Sequence, residues 1–325
     1  MKYIRYIICL FLISTLILTS CSSKNTEPTS YVDTLFDTII SIQIYDNVSD
    51  DIMSECMKLC RKYEYKFSRS NTSSEIYRLN HSNGKTVTLS DETIELLELG
   101  IHYSKLSNGV FDITIGGLSE LWDFKNNTGI VPSSKDISEE LTHVGYDKIL
   151  IDGNQVRLLD ANTKVDLGGI AKGYIADQLK SYLLSQGVKH ALINLGGNVL
   201  AIENKPDGSD YLIGIQKPFD ENGSAITTIN LNNQSLVSSG NYQRYFKIDD
   251  KIYHHILDTS TGYPHDNELL GVTILCKSST AADALSTICY SLGLEDGLRF
   301  INQYDGAEAL FITSDLKIHY SDKWQ

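Results

Sequence analysis

Asp166-Leu-Gly-Gly-Ile-Ala-Lys-Gly173 decides how the chain is read. Before it, Thr163 to Leu167 has the composition of a strand; after it, Ile170 to Gln186 carries Ile175, Leu179 and Leu183 at helical spacing until Gly187 stops it. A strand end, two glycines and a helix start with Lys172 in its first turn make an anion-site design. The glycines let backbone N–H groups approach, the helix N-terminus adds partial positive charge, and the lysine adds a full one. The stretch is neither GxGxxG nor GxxxxGKS/T, so neither a Rossmann nor a P-loop fold follows. Tight packing of helix on strand explains such a glycine pair equally well.

On the N-terminal side, Thr38 to Tyr45 alternates with Ile40, Ile42 and Ile44 on one face, predicting a strand. Asp51 to Phe67 follows as a helix with Ile52, Cys56, Leu59, Tyr63 and Phe67 inward. Ser90 caps another, with Asp91 and Glu92 in its first turn and an end near Asn108-Gly109. Strands are expected at 148–151 and 156–159 around an Asp152-Gly153 turn. On the C-terminal side they are expected at 191–195, 211–216, 226–231, 242–248, 251–257 and 271–275. A helix from about Ala281 and a hairpin of 309–313 with 316–320 close the chain. Helices and strands mixed in this way, with no low-complexity linker across residues 31–325, predict an α+β (mixed α/β) fold in one domain, with room for two packed halves.

The 325 residues are 42% hydrophobic and 21% charged, with a formal charge of −13, which is globular and too acidic for a nucleic-acid partner. Lys2 and Arg5 precede an apolar run, Ile7 to Leu18, which is short for a bilayer span and suits a signal segment. The run ends Leu18-Thr19-Ser20-Cys21, similar to a bacterial lipobox. Residues 1–20 are therefore expected to be a lipoprotein signal peptide, Cys21 the lipidated N-terminus, 21–30 a polar tether and 31–325 the folded domain. That places the protein on the membrane by a lipid anchor, facing the extracytoplasmic side. Cys56 and Cys60, four residues apart on an apolar helical face, read as small buried hydrophobes; no disulfide framework is implied.

Two further stretches carry residues that a core does not need. In Asn108-Gly-Val-Phe-Asp-Ile-Thr-Ile-Gly-Gly117 a loop glycine leads into an aromatic ring, a carboxylate and a hydroxyl. Near the C-terminus, His254-His-Ile-Leu-Asp-Thr-Ser-Thr-Gly-Tyr-Pro264 precedes Ala282-Asp-Ala-Leu-Ser-Thr287. Asp283 and Thr287 project from one helical face, and with a nearby carbonyl they form a hard-oxygen set that suits Mg2+ completed by phosphate. An Asp favoured by the helix dipole and a Thr bonded back to its own helix account for the same pair. As a cleft carboxylate, Asp283 is expected to add little to core packing.

DLGGIAKG (166–173), GVFDITIGGLSELWDF (109–124), NLGG (194–197), SSGNYQRYF (238–246), HILDTSTGYP (255–264) and ADALST (282–287) occur together in one chain. As a set they resemble the FAD:protein FMN transferases, the ApbE-type flavin transferase lipoproteins, over nearly all of 34–313. The resemblance implies Mg2+-dependent cleavage of FAD outside the cytoplasmic membrane. FMN passes to a Thr (or Ser) hydroxyl of a flavoprotein or membrane redox-complex subunit, and AMP is released. It assigns the metal to Asp283, Thr287 and the main-chain oxygen of Gly169, and flavin-nucleotide contacts to Val110, Phe111, Asp112, Asp166 and Lys172, with Leu257 lining the pocket. His255 becomes the base toward the incoming hydroxyl, a role for which its near-neutral intrinsic pKa is suited; Lys172 and Asp283 complete the catalytic set.

Two positions depart from the family pattern. Where many relatives have Met-Gly-Thr this chain has Phe36-Asp37-Thr38, and where several place a Tyr on the flavin side it has Ser70-Asn71. The second bears on the balance between transfer and hydrolysis, so the alternatives are an Mg2+-dependent FAD pyrophosphatase and, in another class, a lipid-anchored flavin-binding protein without turnover.

Overall fold

The computed structural model describes residues 27–126, 128–220 and 222–324, so Cys21 and the segment read as a signal peptide lie outside it. A hairpin of β1 (Thr29–Leu35) and β2 (Thr38–Ile44) leads into α1 (Asp50–Phe67), α2 (Glu75–Asn80), β3 (Val87–Thr88) and α3 (Asp91–Leu106). Then come α4 (Gly116–Trp122), α5 (Ser134–Leu141), β4 (Ile149–Asp152), β5 (Gln155–Leu158), α6 (Ala171–Ser185), β6 (Ala191–Leu195) and β7 (Asn198–Ile202). The hairpin β8 (Tyr211–Gln216) and β9 (Ala225–Leu231) precedes β10 (Ser235–Gly240), followed by β11 (Tyr245–Ile248) and β12 (Lys251–His254). The chain ends with β13 (Leu269–Cys276), α7 (Ser279–Gln303), β14 (Ala307–Thr313) and β15 (Ile318–Tyr320).

Eight strands form the main sheet in the order β1-β2-β6-β7-β10-β13-β14-β15, with every neighbouring pair antiparallel. Its two faces meet different partners. Ile40, Ile42, Ile193, Leu200, Ile274 and Phe311 share the large core with residues of α1, α3, α6 and α7. Val199, Ala201, Leu236, Leu310 and Ile312 face the other way, where Tyr211, Ile215 and Leu231 of the β8–β9 hairpin cover them. Strand β7 is therefore buried along its whole length, and its run of Val, Leu, Ala and Ile shows no alternation. That is why its sequence does not announce a strand. Cys56, Cys60, Cys276 and Cys289 are unbridged and buried, as the helical spacing of the first two implies. Among the described residues no helix is long and apolar enough to cross a membrane.

The folded part starts at Thr29, two residues inside the segment read as tether. The expected strand at 163–167 does not form: Lys164 makes a single bridge to Ile115. The buried amide of Asn80 takes the place of a strand neighbour, accepting from the Val165 N–H at 2.7 Å and donating to the Val165 carbonyl at 2.9 Å. The Asp166 N–H donates to the Ile113 carbonyl at 2.7 Å. Backbone groups expected to pair in a ladder are thus satisfied by one side chain and one loop. The strand expected to run to Leu257 stops at His254, and Leu257 bridges Pro264 instead.

A smaller aromatic cluster secures the β11–β12 hairpin. Trp122 stacks on Phe124 and Tyr253 at 5.5 and 5.7 Å, and Phe246 stacks on Phe124 and Tyr253 at 5.4 Å. The Trp122 indole N–H donates to the Gly262 carbonyl at 2.8 Å, tying the end of the GVFDITIGGLSELWDF stretch to the HILDTSTGYP loop.

Candidate active site

The N-termini of α6 and α7 cross at Gly173. A Cβ there would lie 2.3 Å from the Ser279 carbonyl oxygen and 2.8 Å from the Asp283 Cβ, so only glycine allows this approach. The Gly173 N–H, one of the unpaired donors at the start of α6, donates to Asp283 Oδ2 at 2.9 Å. In return Asp177 of α6 accepts from the Ser279 and Thr280 N–H groups, both at 2.9 Å, and from the Ser278 and Thr280 hydroxyls. Each helix thus lends a carboxylate to cap the other, and each carboxylate sits where the helix dipole favours it.

Asp283 is only 4% exposed, which corrects the expectation of a loosely packed cleft carboxylate. Burial pushes its pKa up, against the opposing pull of Lys172 and the Gly173 N–H. Thr287, one turn on, lies 3.3 Å from the Ser239 hydroxyl, which also bonds Ser286 at 2.7 Å. Gly169 faces them: a Cβ there would meet the Phe111 ring at 2.9 Å and stand 3.7 Å from Thr287 Oγ1.

A cleft of about 1480 Å3 opens from this crossing toward the tip of the β1–β2 hairpin, and every site candidate named from the sequence lines it. These are Phe36, Ser70, Val110, Phe111, Asp112, Asp166, Gly169, Lys172, His255, Leu257, Asp283 and Thr287. Their surroundings differ. Asp112 is buried and both its oxygens are taken: Oδ1 accepts from the Thr114 N–H and hydroxyl at 2.8 and 2.6 Å, and Oδ2 from the Tyr146 N–H at 2.9 Å. Its carboxylate shapes the loop that carries Phe111, and the side chain also lines the cleft. Asp166 accepts from the Gly168 N–H at 2.9 Å and pairs with Arg69 at 3.3 Å. Lys172 makes no ion pair among the described residues.

His255 lies just past β12, and its N–H is held by the Arg244 carbonyl at 3.1 Å. Its Nδ1 is buried with no hydrogen-bond partner among the described residues. Burial, reinforced by His254, Arg244 and Lys172, drives its pKa down to about 3, well below the near-neutral value its chemistry suggests in isolation. His254 turns inward, holds the His265 carbonyl at 2.9 Å through Nε2, and is pushed down to about 4, chiefly by burial.

At the other end of the cleft, Phe36 and Asp37 form a two-residue hairpin loop with φ of 57° at both. That conformation suits a primed turn but is strained for a phenylalanine. The Phe36 N–H donates to Glu64 at 2.8 Å, and Asp37 pairs with Lys125 across the cleft at 2.7 Å. Arg69, Tyr242, Gln243 and Arg244 also line the cleft and were not singled out from the sequence. The SSGNYQRYF stretch was the available signal for the last three; Arg69 has no motif of its own.

Among the described residues no three His, Cys, Asp or Glu side chains gather to hold a metal. One carboxylate, one hydroxyl and one carbonyl remain, all hard oxygens. Asp283 Oδ1 accepts no bond from the described residues, so this buried carboxylate has one oxygen left for a cation. The donor set fits Mg2+, which binds few protein ligands and completes its shell with phosphate and water.

A family model described as the ApbE family matches residues 36–311. An FAD:protein FMN transferase of Klebsiella pneumoniae is 36% identical over 261 residues, covering 79% of this chain and 81% of its own. One from Treponema pallidum is 29% identical over 277 residues, covering 80% and 76%. The crystal structure of an ApbE protein from Thermotoga maritima superposes with a TM-score of 0.84 at 32% identity, over 91% of this chain and 97% of that one. The flavin transferase ApbE from Vibrio cholerae gives 0.81 at 26% identity, over 91% and 97%.

Proposed function

The chain belongs to the ApbE family and is a transferase that moves FMN from FAD to protein, and we propose that it does so with Mg2+, onto a Thr (or Ser) hydroxyl of an extracytoplasmic flavoprotein, releasing AMP. One observation carries this reading: segments far apart in sequence converge on a single cleft at the α6–α7 crossing. There a helix N-terminus, Lys172 and an incompletely bonded Asp283 face the same space.

In the proposed reaction the acceptor oxygen attacks the FMN phosphorus and the pyrophosphate bond breaks. AMP leaves with the bridging oxygen, and the hydroxyl proton passes to His255. Its low pKa keeps the ring neutral at pH 7, with Nδ1 unengaged by the described residues, and makes it a weak base in the free protein. Burial is the main cause of that low value and Arg244 and Lys172 add to it; an incoming pyrophosphate would offset the two cations and so relieve the smaller part of the shift. Asp283, Thr287 and the Gly169 carbonyl would hold the metal, which when bound neutralises charge developing on the phosphate oxygens. Lys172, beside the positive end of the α6 dipole, positions the phosphates, which phosphoryl transfer needs more than covalent help. The lipobox ending at Cys21 supports an anchored location outside the cytoplasmic membrane.

The test combines the protein, FAD, Mg2+ and an FMN-binding-domain acceptor. A fluorescent acceptor band that survives denaturation, with a mass gain of one FMN phosphoester, is the expected result. Hydrolysis of FAD to FMN and AMP is the second reading, because Ser70 in the cleft occupies the position that bears on the balance between the two reactions. AMP accumulating beside an unlabelled acceptor would reject transfer in its favour.

A further inference from the structure

The cleft carries an aromatic surface that neither the core nor the reacting centre uses. Tyr77 on α2 and His81 just past its end stack with ring centroids 3.8 Å apart and planes 16° from parallel. The His81 Nδ1 sits 2.8 Å from the Tyr77 carbonyl oxygen, so the pair is fixed as a unit. Neither ring belongs to a hydrophobic cluster of the described residues; His81 is exposed, Tyr77 half-buried, and both line the cleft beside Arg61, Tyr65 and Ser70. Ser70 contributes a hydroxyl to the cleft and no ring face.

A dinucleotide has a planar ring system on each side of its pyrophosphate. With the phosphates at the α6–α7 crossing, a ring system that extends from them within the cleft meets its lining, of which Tyr77 and His81 are part. Stacking a heteroaromatic ring on an exposed aromatic face removes apolar surface from water on both partners and is worth about 1–3 kcal/mol per ring. We propose that the Tyr77–His81 stack is the platform on which one heteroaromatic ring of the bound dinucleotide lies, an inference that rests on the placement of FAD in this cleft. Tyr77 and His81 are then binding residues that set affinity for the ring, apart from the residues that act on the phosphates.

The experiment titrates FMN by its fluorescence and AMP by calorimetry against the wild-type protein and the variants Tyr77→Ala, His81→Ala, Tyr77→Phe and Lys172→Ala. Tyr77→Ala and His81→Ala should each weaken one of the two nucleotides about five- to fifty-fold, while Tyr77→Phe stays within about twofold. Loss confined to FMN places the isoalloxazine on the platform and loss confined to AMP places the adenine; either supports the proposal. Unchanged binding of both nucleotides by the two alanine variants, with Lys172→Ala weakened, overturns the platform and leaves the cleft standing. Wild-type binding in Lys172→Ala as well overturns the cleft and the platform together. His81 is exposed and outside every cluster, so His81→Ala keeps the test valid if Tyr77→Ala fails to fold.

Discussion

The α6–α7 crossing and the rim around Phe36, Ser70 and Tyr77 face the same cleft and are built in opposite ways. At the crossing, backbone meets backbone: Gly173 against the Ser279 carbonyl, with Asp283 and Asp177 exchanged as caps. Each residue there answers to several constraints, and little can change. Along the rim, side chains are half-buried or exposed, one loop holds a strained Phe36, and an ion pair between half-exposed groups spans the opening. The comparison teaches that the crossing is fixed by packing of backbone on backbone, whereas the rim, where we place recognition of a ring system, is held by few contacts.

The largest effect expected from this contrast is at Asp283. Asp283→Asn keeps an oxygen for the Gly173 N–H and removes the charge that would hold the proposed cation, so activity should fall by about two to three orders of magnitude with melting temperature nearly unchanged. Asp283→Ala should also lose about 1–3 kcal/mol in urea unfolding, because it leaves a buried N–H without a partner. Equal activity in Asp283→Asn and wild type would break the division between crossing and rim.

Gly173→Ala comes next. Its Cβ meets backbone that cannot swing away, so overpacking should cost about 1–3 kcal/mol and move Asp283 relative to Gly169, visible as a lowered unfolding midpoint together with lost turnover. Asp177→Ala should cost about 1–2 kcal/mol through the two N–H groups it uncaps, read in the same unfolding assay.

Acid should act on the hairpin beside the crossing. His254 and His255 have folded pKa values of about 4 and about 3 against an ordinary 6.5, so the unfolded chain binds more protons between those limits. Their contribution to stability is complete above pH 6.5 and is lost as pH falls toward 3. The raised carboxyl of Asp283 acts with the opposite sign. Urea midpoints measured from pH 8 to pH 4.5 should decline below 6.5, and His254→Gln should flatten the slope; a midpoint independent of pH across that range would contradict it. The smallest effect belongs to the rim: Lys125→Ala should change stability by less than about 1 kcal/mol, because the pair it breaks is half exposed.

The same contrast explains what could be read from the sequence. The Gly168-Gly169 pair, Lys172 and the Asp283/Thr287 spacing are legible because close backbone approach and helix periodicity leave a residue-type signature. Asn80 is not: an asparagine replacing a strand neighbour looks like any other helix-terminal asparagine, and the predicted strand at 163–167 was lost to it. Strand β7 escaped because burial on both faces erases alternation. The role of Asp177 depends on a partner helix a hundred residues away, which no local pattern records. Arg69 and the Tyr77–His81 stack acquire meaning only from the cleft they line.

The central claim is that a divalent cation held at the helix crossing meets the pyrophosphate of FAD. A crystal structure of the protein grown with FAD and Mn2+ tests it most directly. The account predicts one anomalous peak within coordination distance of Asp283 Oδ1, Thr287 Oγ1 and the Gly169 carbonyl oxygen, with the pyrophosphate beside Lys172. A peak elsewhere, or the dinucleotide bound outside the cleft, would contradict it.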